Sequence, residues 1–173
     1  MSQVNNSGSV SGIMNSIDLG PTGSIQFMFA KLQLAQAELA KTGAMQNIEK
    51  IQRSQEDQKE CSEMIKRATE LQNQAKNLGE KATTTMPDDM VAYFAKKGLK
   101  PDGAGNNDKL HTKDEWDYNI QQLTAYRDKI GTDTQQLMVF VQDFMGQYNS
   151  YLQGANSAIQ QGNQTLQSIA TGR

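Results

Sequence analysis

The chain is poor in the residues from which most active sites are built. Its 173 residues include one cysteine, Cys61, and one histidine, His111. A lone cysteine cannot close an internal disulfide. One Cys and one His fall short of the three or four ligands that zinc takes. Any Ser–His or Cys–His catalysis would rest on His111, which lies in a Gly- and Asn-rich stretch and reads as a solvated loop residue. Cys61 has Glu60 and Glu63 for neighbours and no base to lower its pKa, so it reads as a packing residue. No enzyme, cofactor or metal site is expected.

Other absences narrow the class. No apolar run approaches 18 residues, so no membrane-spanning helix is expected. The first twenty residues have no basic stretch followed by an apolar one, so no cleaved Sec-type signal is expected. Lys and Arg number 17 and Asp and Glu 19, which excludes a strongly basic nucleic-acid binder. Hydrophobic residues make up 36% and aromatics 6%, and mean hydropathy is −0.67. An ordinary globule carries roughly 45–50% apolar residues with Gly included, and with its 14 Gly counted this chain reaches about 44%, near the low edge, much of it Ala and Met. A chain this short of core material is either partly disordered or elongated around narrow seams.

The near-zero net charge hides a partition. Residues 31–129 hold 16 charges of each sign, and the remaining 74 residues hold only Asp18, Asp133, Asp143 and Arg173. Residues 1–20 are rich in Ser, Asn and Gly without periodicity, and read as a flexible N-terminal segment.

What the chain has in quantity is helical pattern. Pro21-Thr22-Gly23-Ser24 reads as a helix start capped by Thr22 or Ser24. From there to Ala82 there is no proline, and strong helix formers dominate. A spacing of three and four runs through Phe27, Ala30, Leu34, Ala37, Lys41, Ala44, Ile48 and Ile51. It resumes at Cys61, Met64, Ala68, Leu71, Ala75 and Leu78, one residue out of phase. That offset resembles a stammer, and a break is open at Gly43 or across residues 52–60. Pro87 suits the first position of a short helix over 87–97. Asp88 and Asp89 lie at its start, Lys96 and Lys97 at its end, and Gly98 just beyond. Met90, Val91 and Phe94 form its buried face, with Tyr93 at the margin. Residues 99–111 read as a loop.

Thr112 and Glu115 form a capping box. It opens a stripe at positions 116, 120, 123, 127, 130, 134, 137, 141, 144, 148, 151, 155, 158, 162, 165 and 169, twelve of which are apolar or aromatic. Sustained alternation of four and three is coiled-coil pattern. The reading is therefore all-α: an elongated antiparallel coiled-coil hairpin of two long helices (24–82 and 113–169), with an insert at 83–111. Residues 21–173 form a single domain on this reading. The intramolecular seam is assigned to Phe27, Leu34, Ile48, Ile51, Met64, Leu71, Leu78, Trp116, Ile120, Leu123 and Ile130.

A second stripe accompanies the first. Met138, Met145, Leu152, Ile159 and Leu166 recur every seven residues, at positions usually polar in a two-helix hairpin. A face this wide contacts two neighbours. Either another segment of the chain covers it, residues 1–23 or the 87–98 helix, or a second copy does. The scarcity of charge favours self-association, assigned to Leu137, Met138, Val141, Phe144, Met145, Tyr148, Tyr151, Leu152, Ile159, Leu166 and Ile169. Gly131, Gly146, Gly154 and Gly162 permit close backbone approach. Asp102–Asp108 fails as a calcium loop, with Ala104 at the third position and Lys113 at the twelfth. Gly103-x-Gly105 lacks the strand and third glycine of a phosphate loop.

The run FMFAKLQLAQAELAKTGAMQNIEK (Phe27–Lys50) resembles the first-helix segment of EspA/SseB-type proteins, filament and translocon components of bacterial type III secretion systems. MPDDMVAYFAKKGLKPDG (Met86–Gly103) is similar to their insert helix. The resemblance spans about residues 20–173, and departs in the loop 99–111 and in the placement of aromatics. It implies a secreted subunit that polymerises into a hollow filament above the needle, through which effectors pass. It also implies a dedicated cytoplasmic chaperone over the C-terminal helix, contact with the needle subunit, and separate pore-forming translocators. The uncleaved N-terminus would be the export signal. The alternatives are a monomeric needle-tip protein of the same system and a cytoplasmic coiled-coil chaperone or adaptor.

Overall fold

The computed structural model describes residues 10–18, 24–101 and 109–172. Thr22, the loop 102–108 and residues 1–9 lie outside them, so the alternative cap and both loop motifs do too. The fold is an all-α hairpin of two long helices, α2 (Ile25–Leu78) and α4 (Lys113–Ala170). A helix α1 (Val10–Ser16) precedes them. Between them lie β1 (Thr84–Thr85), α3 (Asp88–Lys96) and β2 (Leu110–His111). The contacts divide the chain into two compact units. Unit 1 comprises Met1–Lys50 and Leu137–Arg173, and unit 2 comprises Ile51–Gln136. The helix α1 lies where the sequence shows no periodic element.

Helix termini follow the local chemistry. Ser24 Oγ accepts the Phe27 amide at 3.3 Å, which makes Ser24 the cap of α2. At the start of α4 the Thr112 amide donates to Glu115 at 2.7 Å, and Thr112 Oγ1 accepts the Glu115 amide at 3.4 Å. That is the capping box the sequence specifies. Pro87 caps α3 from outside, one position earlier than expected, and its carbonyl accepts the amides of Met90 and Val91. Gly98, at φ +68°, closes α3 with two bonds, Gly98 N to Ala95 O and Leu99 N to Phe94 O. That pairing is a Schellman motif.

Helix α2 continues without a break through Gly43 and residues 52–60. Its seam differs from the expected one. In unit 1 it runs through the buried or half-buried positions Ala30, Gln33, Ala37, Ala40, Ala44 and Asn47, with Phe27 and Ala35 also buried. In unit 2 they are Ile51, Ser54, Gln58, Cys61, Ile65, Ala68, Gln72 and Ala75. The steps alternate three and four throughout, so no stammer is needed. Lys41 and Ile48 are exposed because Ala40 and Asn47 hold the seam. Leu78, also assigned to the seam, is 70% exposed at the last turn, before Gly79 at φ +131°. Leu34 is half-buried beside the seam, while Phe27 is buried and Ile51 half-buried. The α4 register holds from Trp116 to Gly162: every stripe position there is buried or half-buried, including Ile120, Leu123 and Ile130.

Unit 2 owes its core to the insert. Trp116, Phe94, Met86, Met90 and Leu123 are fully buried, with Cys61 and Tyr93 among them. Met64 and Leu71 pack against this cluster. Trp116 Nε1 donates to Thr84 Oγ1 at 2.8 Å, and Thr84 Oγ1 donates to the Leu71 carbonyl at 3.0 Å. The antiparallel β1–β2 ladder pairs Thr84 with His111. It carries His111 out of the expected solvated loop to 2% exposure, edge-on to Trp116 with ring centroids 5.0 Å apart. A histidine here serves packing.

Candidate self-association surface

In unit 1 the segments of α2 and α4 run antiparallel. Phe27 lies against Gly162, Gln33 against Gly154, and Phe144 against Gly43. A methyl group at Gly43 would sit 3.0 Å from the Phe144 ring, closer than carbon atoms pack. The glycine is what admits the aromatic. Gly131 in unit 2 does the same for Gln58, whereas Gly146 meets nothing. Buried positions in unit 1 are otherwise alanines, with Phe27 the only large side chain among them in the described residues. The α2 side of this seam, built of Ala, Gly and amides, brings the helices close but itself buries little apolar area, while α4 adds half-buried residues such as Phe144 and Tyr148.

Many large apolar residues of unit 1 are nonetheless left exposed, although Phe27 is buried and Leu137, Val141, Phe144, Tyr148 and Tyr151 are half-buried. Among the described residues fourteen large hydrophobics are exposed, and eleven of them belong to unit 1. They form two groups. Ile25, Met28 and Phe29 lie near the start of α2, with Leu166 and Ile169 near the end of α4. Because Gly162 is already level with Phe27, about the last six residues of α4 run past the start of α2. The second group is Met45, Ile48, Met138, Val139, Phe140 and Met145. Here five successive residues of α4, Leu137 to Val141, are all apolar. A helix that is apolar all round belongs in an interior, yet Phe140 is 53% exposed and Val139 54%.

Of the residues assigned to assembly, Met138, Met145, Leu166 and Ile169 are exposed. Leu152 and Ile159 are half-buried. Leu137, Val141, Phe144, Tyr148 and Tyr151 are half-buried on the α2–α4 seam, as Phe144 over Gly43 makes explicit. Val139, Phe140, Met45 and Ile48 complete the surface and were not assigned to it. A signal was present: an unbroken five-residue apolar run overrides any single-face reading.

Electrostatics separates the units further. Unit 1 contains eight of the chain's charged residues and unit 2 contains 28. In unit 2, charge fastens the insert. Arg67 holds Asp89 with two bonds of 2.5 and 3.0 Å. This contact raises the guanidinium pKa and holds the Asp89 carboxyl below the usual range. Lys109 pairs with Asp88, and Gln72 with Asp117. Lys97 is 8% exposed and reaches Asp57 at 2.9 Å and Glu60 at 3.8 Å. Burial works to lower its pKa, but the bond to Asp57 and the charge interactions around it, Asp57 and Glu60 among them, together outweigh it, and the net direction is upward. Burial pushes the Cys61 thiol up, and its Sγ donates to the Leu123 carbonyl at 3.2 Å. Tyr93, beside Cys61, is pushed well above its ordinary value by the same burial. Arg67–Asp89 and Lys97–Asp57 bind the insert helix to α2, Lys109–Asp88 ties it to the residue before β2, and Gln72–Asp117 and Cys61–Leu123 link α2 to α4.

Unit 2 also has an open groove of about 390 Å³, lined by Gln58, Lys59, Ser62, Arg127, Asp128, Gly131, Thr132 and Gln135. Its arginine is already bonded to Asp128, at 3.2 and 3.0 Å. Among the described residues no three His, Cys, Asp or Glu side chains gather as a metal site, and no helix is long and apolar enough to cross a membrane. No protein-family model matches the chain, and no curated protein or solved structure does either.

Proposed function

We propose that the chain is a structural subunit that works by self-assembly, a secreted filament subunit of the type III secretion kind. The observation that carries this is the surface of unit 1. Eleven large apolar side chains stand exposed among the described residues of a unit with eight charges. A surface of that kind marks an interaction site or a risk of aggregation. Burying it against copies of itself removes apolar area from water and meets no like-charge repulsion. The resemblance of Phe27–Lys50 and Met86–Gly103 to EspA/SseB-type proteins supplies the biological setting. In that setting the polymer is a conduit above the needle, in contact with the needle subunit and the pore-forming translocators. A dedicated chaperone keeps the apolar face covered in the cytoplasm until export. The charged unit 2 faces solvent, and the protein's task involves no chemical reaction.

The test pairs microscopy with fractionation. The purified protein is expected to form filaments in negative stain, and the unprocessed chain is expected in culture supernatant of the secreting bacterium. Retention in the cytoplasm, or a monodisperse monomer at high concentration, contradicts the proposal. Short caps in place of filaments would redirect it to a needle-tip protein.

A further inference from the structure

The exposed apolar residues near the middle of α4 fall on two opposite sides of the α2–α4 layer. Met138 and Met145 each follow a seam residue, Leu137 and Phe144. On α2, Met45 and Ile48 likewise follow seam residues, Ala44 and Asn47. Each step along a helix turns roughly 100°, and in an antiparallel pair the residues that follow the seam on both helices share one side of the layer. Gly43 is level with Phe144, which places Met45 and Ile48 at the height of the Met138–Met145 interval. The four make one patch, each between 41% and 56% exposed. Phe140 precedes the seam residue Val141 and so projects from the opposite side, 53% exposed.

From this geometry we infer that Phe140 of one copy seats in the Met45–Ile48–Met138–Met145 patch of the next. The inference rests on the self-assembly reading and gives it a contact. The occupant is a second copy because the two faces fit each other. Three of the patch residues are methionines, flexible and polarisable, which take up an aromatic ring with a favourable sulfur–ring contact. Asp143 is the only charged residue between Leu137 and Ala170, and Lys41, Glu49 and Lys50 near the α2 part of the patch are of mixed sign, so the approach of two copies meets no block of like charge. Since donor and acceptor are different faces of one molecule, the contact is head-to-tail. Such a contact closes into a ring or propagates as a helical polymer, and does not stop at a two-fold dimer.

Complementation tests it. Wild type, Phe140→Asp and the double variant Met138→Asp/Met145→Asp are compared by sedimentation velocity, alone and as an equimolar mixture of the two variants. Far-UV circular dichroism confirms equal helicity. Phe140→Ala and Met145→Gln serve as milder variants should an aspartate perturb the fold. Wild type is expected to polymerise, and each variant alone to stay monomeric at tenfold or more the concentration at which wild type assembles. The mixture is expected to give a heterodimer, because each variant retains one half of the contact. Assembly of either variant at the wild-type concentration overturns the inference and leaves the self-assembly reading standing. So does a mixture that stays wholly monomeric. A wild type that never assembles overturns both.

Discussion

The same two helices build two unlike structures. Over Ile51–Gln136 they enclose an insert whose Trp116, Phe94, Met86 and Met90 are fully buried. Over Met1–Lys50 and Leu137–Arg173 the fully buried positions are mainly alanines, Phe144 and Tyr148 are only half-buried, and eleven large apolar residues among the described ones are exposed. Helical pattern is equally strong in both. What differs is whether the chain itself supplies the third layer that an apolar face needs. In unit 2 the helix α3 supplies it, while in unit 1 the proposed neighbour does.

The contrast breaks most sharply at Trp116. Trp116→Ala empties the centre of unit 2 and strands Thr84, and should cost about 3–5 kcal/mol in urea unfolding. A loss below about 1 kcal/mol would mean that unit 2 does not depend on this core. Next come the two phenylalanines of unit 1. Phe144→Ala, which vacates the space over Gly43, should cost the monomer about 2 kcal/mol. Phe140→Ala should leave monomer stability within about 0.5 kcal/mol while suppressing assembly. Equal effects on monomer stability would erase the distinction between seam and surface.

Lys97 tests the insert's fastening. Lys97→Met leaves Asp57 and Glu60 without their partner and should cost about 1–2 kcal/mol by the same unfolding assay. Its pH dependence has a definite sign. Cys61, Tyr93 and Lys97 all have raised pKa values in the folded state. A raised value contributes stability that is full below the ordinary pKa and is lost as pH rises through the folded one. Thermal melts of unit 2 should therefore fall as pH rises past about 9, the ordinary thiol value. A flat profile to pH 11 would contradict the burial of these groups. The smallest effect is expected at glycines. Gly146→Ala, in open space on α4, should stabilise by about 0.5–1 kcal/mol. Gly43→Ala should give no such gain, because its new methyl meets the Phe144 ring.

Particular residues explain what could be read from sequence. The α4 seam was legible from Trp116 to Gly162 because large apolar residues mark most of its turns. Thr112–Glu115 and Gly98 were legible because caps are set by local chemistry. Most of the expected α2 seam is buried or half-buried, Leu34, Met64 and Leu71 included, but Lys41, Ile48 and Leu78 are exposed, because the seam passes through Asn47 and Ser54, polar residues that leave no apolar mark. His111 and Thr84 were missed because a two-residue ladder leaves no periodic trace. On the assembly surface the seven-residue stripe yielded Met138 and Met145. Phe140, Met45 and Ile48 escaped because their exposure depends on which neighbouring position the partner helix takes.

Hydrogen exchange read segment by segment, in monomer and in assembled protein, tests the central claim most directly. The account predicts that assembly slows exchange by at least tenfold in residues 25–50 and 137–162, and leaves residues 61–75 and 113–130 nearly unchanged. Protection gained mainly in the second set, or none gained in the first, would contradict it.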